Sequence, residues 1–484
     1  MSSFFNQPKA FYTLFMLEIW ERFGYQSLSA VLVVYLTSDI MGFSKIDAIS
    51  IYAAFSALVY AFIVMGGYIG DVILGAKRTI ILGLIVLLLG YILLAVNNPH
   101  TIYYALSFVC IGTGLFKSNP SSLLSKCYDK DDTGGLTNGF TLFYMAINIG
   151  SILGIVIVPT VADAYGYTYG FTIAVFAIIM SIATMVGFSF TMKHISSHAG
   201  AKPLNIKYLA IVIIGIVLMV FVVEALLEHL LLAKSIVVLT FCVSLLICIY
   251  LIITHHEVSY RTKMILALIL MFEAIVYKIS YIQMGTSINF FAINNTDHSI
   301  FGLTINAAAT FQALNPIWIV LLSPILASYY IWSAKRGEYE LRVYEKFSIG
   351  MMILSFSFII LYTSKYFAND QGILSAYWLV GSYFFQSLGE LLISAIGLSM
   401  FAQLAPAKLN GFMIGVWWVF LAFASILGGQ VAELVEPAGS EHASTVATLI
   451  NYTNVFLYIG ISVFAFSILM FALSPIKKRM LNAS

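Results

Sequence analysis

Apolar residues along this chain run in long blocks broken by short polar punctuation, the pattern of a polypeptide that crosses a bilayer repeatedly. A helix that spans the hydrocarbon layer needs about 20 mostly apolar residues. Fourteen blocks qualify, near 10–37, 46–67, 79–97, 101–125, 136–160, 168–192, 207–228, 232–254, 262–292, 307–333, 344–366, 371–404, 408–432 and 448–474. Each is predicted to be helical, because a backbone inside lipid must satisfy its own hydrogen bonds. The blocks group as six, two and six, and the polar stretch around "HISSHAGAKPLN" closes the first group. This predicts an all-α polytopic membrane protein with a six-helix bundle over 1–192, a linker and two-helix hairpin over 193–260, and a second six-helix bundle over 261–484. Two bundles around a central path are a common transporter plan. The hairpin 207–254 embeds few polar groups and is expected to be peripheral.

The placement of charge orients the spans. With the N-terminus inside, eighteen Lys and Arg fall in the inner segments and only Lys45, Lys234 and Lys365 in the outer loops. The positive-inside rule then puts both termini in the cytoplasm. The first nine residues are mostly polar and precede no small-residue cleavage site, so the first span is expected to be retained.

Composition excludes a soluble protein: 61% of the 484 residues are hydrophobic and 10% charged, against roughly 25% charged in soluble domains. The net charge of +2 gives no sign of a nucleic-acid partner. Cys110, Cys127, Cys242 and Cys248 form no CxxC pair, and the eight histidines fall in or beside loops, so neither a metal nor a disulfide is expected. No GxxxxGK[ST] loop is present, so nothing suggests a nucleotide or any other cofactor.

Against this background the charges inside the spans are the informative positions. A charged side chain at the bilayer centre costs about 2.5–3.5 kcal/mol on insertion scales, so each needs a partner or water. The stretch "LEIWERFGYQ" carries Glu18, Glu21 and Arg22 in the first block. With Tyr25 they are spaced i, i+3, i+4 and i+7 and share one helical face. Arg22 can pair with both carboxylates, while each carboxylate raises the cost of ionising the other. Such a cluster can exchange a proton for a rearranged salt bridge, or it can be a static polar knot between helices. Lys117 sits in "GTGLFKSNPSS", where Gly112, Gly114 and Pro120 loosen the helix; it can also snorkel to the interface. Lys278, Glu273 and Glu390 lie inside later spans. Glu273 is five residues from Lys278, about 140° round the helix, so a pair between them is strained. Asn148 and Asn315 are embedded amides that could line a path or join helices.

These residues belong to a recognisable set. "EIWERF" resembles the ExxER motif of the proton-dependent oligopeptide transporters, within the major facilitator superfamily. "GYIGDVILGAKR" resembles the superfamily's loop between spans two and three. "FYMAINIGS" resembles the FYxxINxGS signature, and "GLFKSNPSSLL" and "SLGELLISAIGLS" resemble the fourth- and tenth-helix motifs. The likeness runs from about residue 7 to 475, includes the hairpin of bacterial members, and is strongest to di- and tripeptide permeases.

The resemblance implies a major facilitator fold, fourteen transmembrane helices, an inner-membrane location, and proton-coupled import of di- and tripeptides by a monomer, with no enzymatic activity. It implies that Glu18, Glu21, Arg22 and Lys117 respond to protons. Arg22, Tyr25, Tyr60, Lys117, Tyr144, Asn148, Asn315 and Glu390 would bind the peptide, with Glu390 on its amino group and the two cations on its carboxylate. Asp71, Lys77 and Arg78 would latch helix ends and gate the path. The chain departs from the pattern at Gln26, where the family has a pocket tyrosine, at Ile282, where it often has an acid, and at Ala395, where many members have proline. It also departs at Lys278, where the family has an aromatic. Lys278 is on the face of Ile282 and is expected to point at the substrate. A membrane potential of 100 mV supplies about 2.3 kcal/mol per charge, enough for roughly fifty-fold accumulation per proton. Another zwitterionic or anionic solute, such as an amino acid, nitrate or a modified peptide, remains the alternative cargo.

Overall fold

Helix α1 (Lys9–Leu36) runs unbroken through the first apolar block, with Glu18, Glu21 and Arg22 all buried along it. The computed structural model describes residues 7–128, 133–195, 199–300, 303–304, 307–335, 342–397, 410–435 and 444–482. The chain divides into two compact units, Met1–Ala233 and Lys234–Ser484.

In the first unit, α1 is followed by α2 (Lys45–Tyr68), α3 (Ala76–Val96), α4 (Ile102–Lys117), α5 (Asn119–Leu124), α6 (Thr133–Tyr165), α7 (Tyr167–Gly187) and α8 (Ile206–Glu228). Local signals set their ends. Ser44 caps α2 by accepting from the Asp47 N–H at 3.1 Å. α3 begins after Gly75, whose φ of 92° suits glycine. It ends at Asn97 in the left-handed region, where the Asn97 side chain accepts from the Tyr35 hydroxyl at 3.0 Å. α4 stops at Lys117, and Pro120 sits in the first turn of α5, where its missing N–H costs nothing. α6 packs on α1, and α4 on α2 and α3. α8 lies against α4, with Phe221 meeting Tyr104 edge-on at 6.2 Å.

The second unit takes most of α9 (Leu230–Thr254), then α10 (Val258–Ile282), α11 (Ser287–Asn295), a two-residue hairpin of β1 (Ser299–Ile300) and β2 (Leu303–Thr304), and α12 (Ala307–Lys335). It continues with α13 (Val343–Ser364), α14 (Tyr377–Gly397), α15 (Asn410–Glu433), α16 (Thr445–Ala472) and α17 (Ser474–Asn482). α13 packs on α14 and α16, α10 on α15, and α12 on α14. α9 joins this unit through Phe241, stacked on Phe423 at 4.0 Å and tilted against Phe420 at 4.8 Å. The boundary between the units therefore falls inside the 193–260 segment, one helix of the hairpin packing with each. α8 and α9 bury less of their length than the other long apolar helices, as expected of peripheral elements.

Ten helical segments among the described residues are long and apolar enough to cross a membrane. The four remaining predicted spans fall on α1, α4, α12 and α14. α1 differs from the ten in carrying three charges within five residues, and α4 in its length of 16 residues. The predicted span 262–292 is not one straight helix. α10 ends in a 3₁₀ turn at Gln283–Gly285, and Thr286 leaves helical geometry before α11 begins. The Gln283 amide donates to Ile279 O and to Gly428 O, each at 3.0 Å, so this break is tied to α15. The part of the predicted 371–404 span beyond Gly397 lies outside the described residues.

Candidate functional site

In the first unit the site is built on α1. Glu18, Glu21 and Arg22 are at most 5% exposed, and helical spacing places them with Tyr25 on one face. α6 comes close enough to bury them because it presents glycines. A Cβ at Gly150 would stand 2.4 Å from Ile19 O and 2.9 Å from the Arg22 Cβ; one at Gly154 would stand 2.2 Å from Phe23 O. Small residues let membrane helices meet backbone to backbone.

Arg22 engages both acids. Its Nε donates to Glu21 Oε2 at 2.6 Å and lies 3.2 Å from Glu18 Oε1; its Nη2 is 2.6 Å from the same Glu21 oxygen. The second oxygens, Glu18 Oε2 and Glu21 Oε1, are buried with no hydrogen-bond partner among the described residues. Each carboxylate is thus half satisfied, and an unsatisfied buried oxygen is a place where a proton reduces the cost of burial.

Lys117, at the end of α4, lies near the same Tyr25 ring as Arg22. Its Nζ is 6.0 Å from the Tyr25 ring centre and 5.4 Å from that of Tyr60, while the Arg22 guanidinium is 5.3 Å from the Tyr25 ring. Lys117 also acts electrostatically on both Glu18 and Glu21. Two acids and two bases therefore form one group around two tyrosine rings. The loosened backbone at Lys117 is held by Asn119, whose amide donates to Leu115 O at 2.7 Å and to Gly66 O on α2 at 3.2 Å. On α6, Tyr144 is partly exposed, and the buried Asn148 donates to Tyr144 O at 2.8 Å, a bond within its own helix.

At the start of α3, Lys77 donates to Met192 O, and Arg78 donates to Leu74 O at 3.1 Å and Lys202 O at 2.9 Å. These cations hold backbone carbonyls of the segment that follows α7. Asp71 is exposed on the helical turn before them.

In the second unit the centre is Glu390, 8% exposed on α14. Asn315 on α12 donates to Glu390 Oε2 at 2.8 Å and to Ser387 Oγ at 3.1 Å, and Ser387 donates back to Asn315 O at 3.2 Å. Asn315 thus joins two helices and orients an acid. α14 is set against α13 through Gly389, where a Cβ would stand 2.6 Å from Gly350 O. Lys278 is buried on α10, its Nζ 4.3 Å from the Tyr281 ring centre, and it acts electrostatically on the Glu390 carboxylate. Its neighbour Glu273 pairs instead with Lys477 on α17.

The model of the POT family matches residues 77–448. The chain belongs to the POT family. It is similar to dipeptide and tripeptide permease B of Photorhabdus asymbiotica, 43% identical over 99% of this chain and 97% of that protein. Dipeptide and tripeptide permease A of Serratia proteamaculans is 41% identical over 98% of this chain and 93% of its own length. The crystal structure of tetrameric PepTSo2 superposes with a TM-score of 0.87 at 32% identity, covering 98% of this chain and 99% of that one. The POT chain therefore has the major facilitator fold.

Sequence reasoning about this POT member missed three residues that contact these groups or the helices that carry them. Ser387 was within reach, three residues before Glu390 in a quoted motif and so on its face. Gln283 carried no signal of its bond to Gly428, 145 residues away. Lys477 read as one of three cations in an inner tail, yet it is 1% exposed and reaches Glu273.

Proposed function

We propose that this chain imports di- and tripeptides together with protons across the inner membrane, with Glu18, Glu21, Arg22 and Lys117 as the coupling group and Glu390 as the counter-ion of the peptide's amino group. The observation that carries this reading is the half-satisfied pair of carboxylates on Arg22. With all four groups ionised the cluster is neutral. One added proton on Glu18 or Glu21 leaves a net positive charge, which favours binding of a carboxylate beside Arg22 and Lys117. Release of the peptide lets the proton leave. Proton and substrate thus stabilise each other, as a symporter requires.

The remaining roles follow from side-chain chemistry. Tyr25, Tyr60 and Tyr144 offer hydroxyls and ring faces, and Asn148 an amide, for the peptide backbone. Asn315 holds Glu390 in place while leaving it able to meet an ammonium. Lys278 contributes to the same region and biases which side chains are accepted. Lys77 and Arg78, with Asp71 beside them, gate the path by controlling the segment after α7. The charge bias of the loops supports cytoplasmic termini. The monomer is taken as the unit of transport, since each chain carries the whole set of groups.

A second reading is favoured by one observation. The Lys278 ammonium near Glu390 competes with a substrate amine, which would suit an anionic solute or an acidic peptide better than a simple zwitterion. Uptake of labelled Ala-Ala into proteoliposomes, in competition with amino acids, nitrate and N-acetylated peptides, separates the two. Displacement only by free di- and tripeptides supports the first; displacement by nitrate or by N-acetylated peptides, which are anions, supports the second.

A further inference from the structure

Glu273 and Lys477 form an ion pair out of contact with solvent, 0% and 1% exposed and 204 residues apart. It lies outside the groups assigned above to proton or peptide. Glu273 is in the middle of α10, and Lys477 is in the first turns of α17, the last helix of the chain. α17 follows α16 after a single residue, Leu473, and packs against α10, α13 and α16. Of the three consecutive cations Lys477, Lys478 and Arg479, only Lys477 is buried. The other Glu273 oxygen has no hydrogen-bond partner among the described residues. A buried carboxylate without a counter-charge either loses its charge or shifts toward water. Lys477 therefore decides where this turn of α10 can sit.

α10 is held at a second point. Gln283, at its end, donates to Gly428 O on α15 at 3.0 Å. Lys278 stands between the two attachments, five residues from each along the helix. The attachment at Glu273 and the side chain of Lys278 diverge by about 140° around the axis, so a rotation of α10 that frees Glu273 swings Lys278. Lys278 is the cation that acts on Glu390 and rests over Tyr281.

We propose that Lys477 is a positioning residue for substrate selection: through its buried pair with Glu273, the C-terminal helix fixes the rotation of α10 and with it the place of Lys278. The inference rests on the reading that Lys278 and Glu390 serve the peptide site. It gives the final nine-residue helix a part in specificity, although that helix lies far in sequence from the motifs that bind.

The test uses the full-length protein in proteoliposomes, with uptake normalised to the amount of folded protein. KM and Vmax are measured for Ala-Glu, Ala-Ala and Ala-Phe in wild type, Lys477→Met, Lys477→Arg, Lys278→Tyr, Lys278→Tyr with Lys477→Met, and the charge swap Glu273→Lys with Lys477→Glu. The expected result is a shift of the KM ratio of Ala-Glu to Ala-Phe by fivefold or more in Lys477→Met, in the same direction as Lys278→Tyr. Lys477→Arg should stay within twofold of wild type, and the double variant should shift no further than Lys278→Tyr alone. If Lys477→Met fails to accumulate, the charge swap carries the test: recovery of both folding and the wild-type ratio supports the proposal, and recovery of folding with a shifted ratio overturns it. A Lys278→Tyr shift without any shift in Lys477→Met overturns the positioning role alone, as does an additive shift in the double variant. An identical ranking in wild type and Lys278→Tyr overturns the site reading, and the positioning role with it.

Discussion

The Asn315 amide donates to the Glu390 carboxylate at 2.8 Å, joining α12 to α14 and leaving the acid oriented but without a bonded cation in that contact. An acid held this way is prepared for an ammonium, because its geometry is fixed before the ligand arrives and little ordering entropy is lost on binding.

Glu390→Gln is therefore expected to weaken dipeptides with a free amino terminus. A hydrogen bond to a charged group contributes about 1.5–3 kcal/mol, or roughly ten- to hundredfold in affinity. N-acetylated dipeptides should be affected much less. Competition against labelled Ala-Ala checks this, and equal losses for both classes would remove Glu390 from the amine site.

Lys117→Met should act on the other end of the peptide. Lys117 shares Tyr25 with Arg22, so its loss leaves one cation for the carboxylate. Wild type is expected to prefer Ala-Ala over its C-terminal amide, and the variant to reduce that preference by about tenfold, on the same scale for a charged hydrogen bond. The measurement is the ratio of inhibition constants for the two compounds. An unchanged ratio would mean that Lys117 serves the protons or the helix end only.

Much of this was legible in the sequence, and the limit has a physical cause. Glu18 and Arg22 are spaced i, i+4, so their pairing follows from helical spacing, whereas the tighter Arg22–Glu21 contact joins sequence neighbours, which that spacing does not bring face to face. The glycines and Pro120 around Lys117 marked a loosened backbone, and the predicted span 101–125 is divided there, α4 ending at Lys117 and α5 beginning at Asn119. The Lys477–Glu273 pair left no local trace, because its partners come together only when the second unit folds. The break after α10 was hidden for the same reason. Gln283 looks like any polar residue in an apolar run until its carbonyl partner at Gly428 is in place.

Close approach between α2 and α4 gives a prediction about stability. A Cβ at Gly66 would stand 2.0 Å from Gly114 O, a backbone atom that cannot move alone. Gly66→Ala must push the helices apart, and overpacking costs about 1–3 kcal/mol or more. Gly187 at the end of α7 has nothing within 4 Å of an added Cβ, so Gly187→Ala should be neutral. Thermal unfolding in detergent is expected to show a lower midpoint for Gly66→Ala only. Equal midpoints for both would mean that the α2–α4 contact is looser than described.

The coupling of proton to peptide at Glu18, Glu21 and Arg22 is the central claim, and one measurement addresses it directly. Wild type and Glu21→Gln are reconstituted in liposomes under an imposed inward proton gradient, and labelled Ala-Ala uptake is followed together with internal acidification. In wild type the account predicts accumulation of the dipeptide above its outside concentration, with a matching entry of protons. Glu21→Gln should lose accumulation and proton entry but still exchange labelled for unlabelled Ala-Ala when both sides are loaded. Gradient-driven accumulation in Glu21→Gln at the wild-type level would contradict the account.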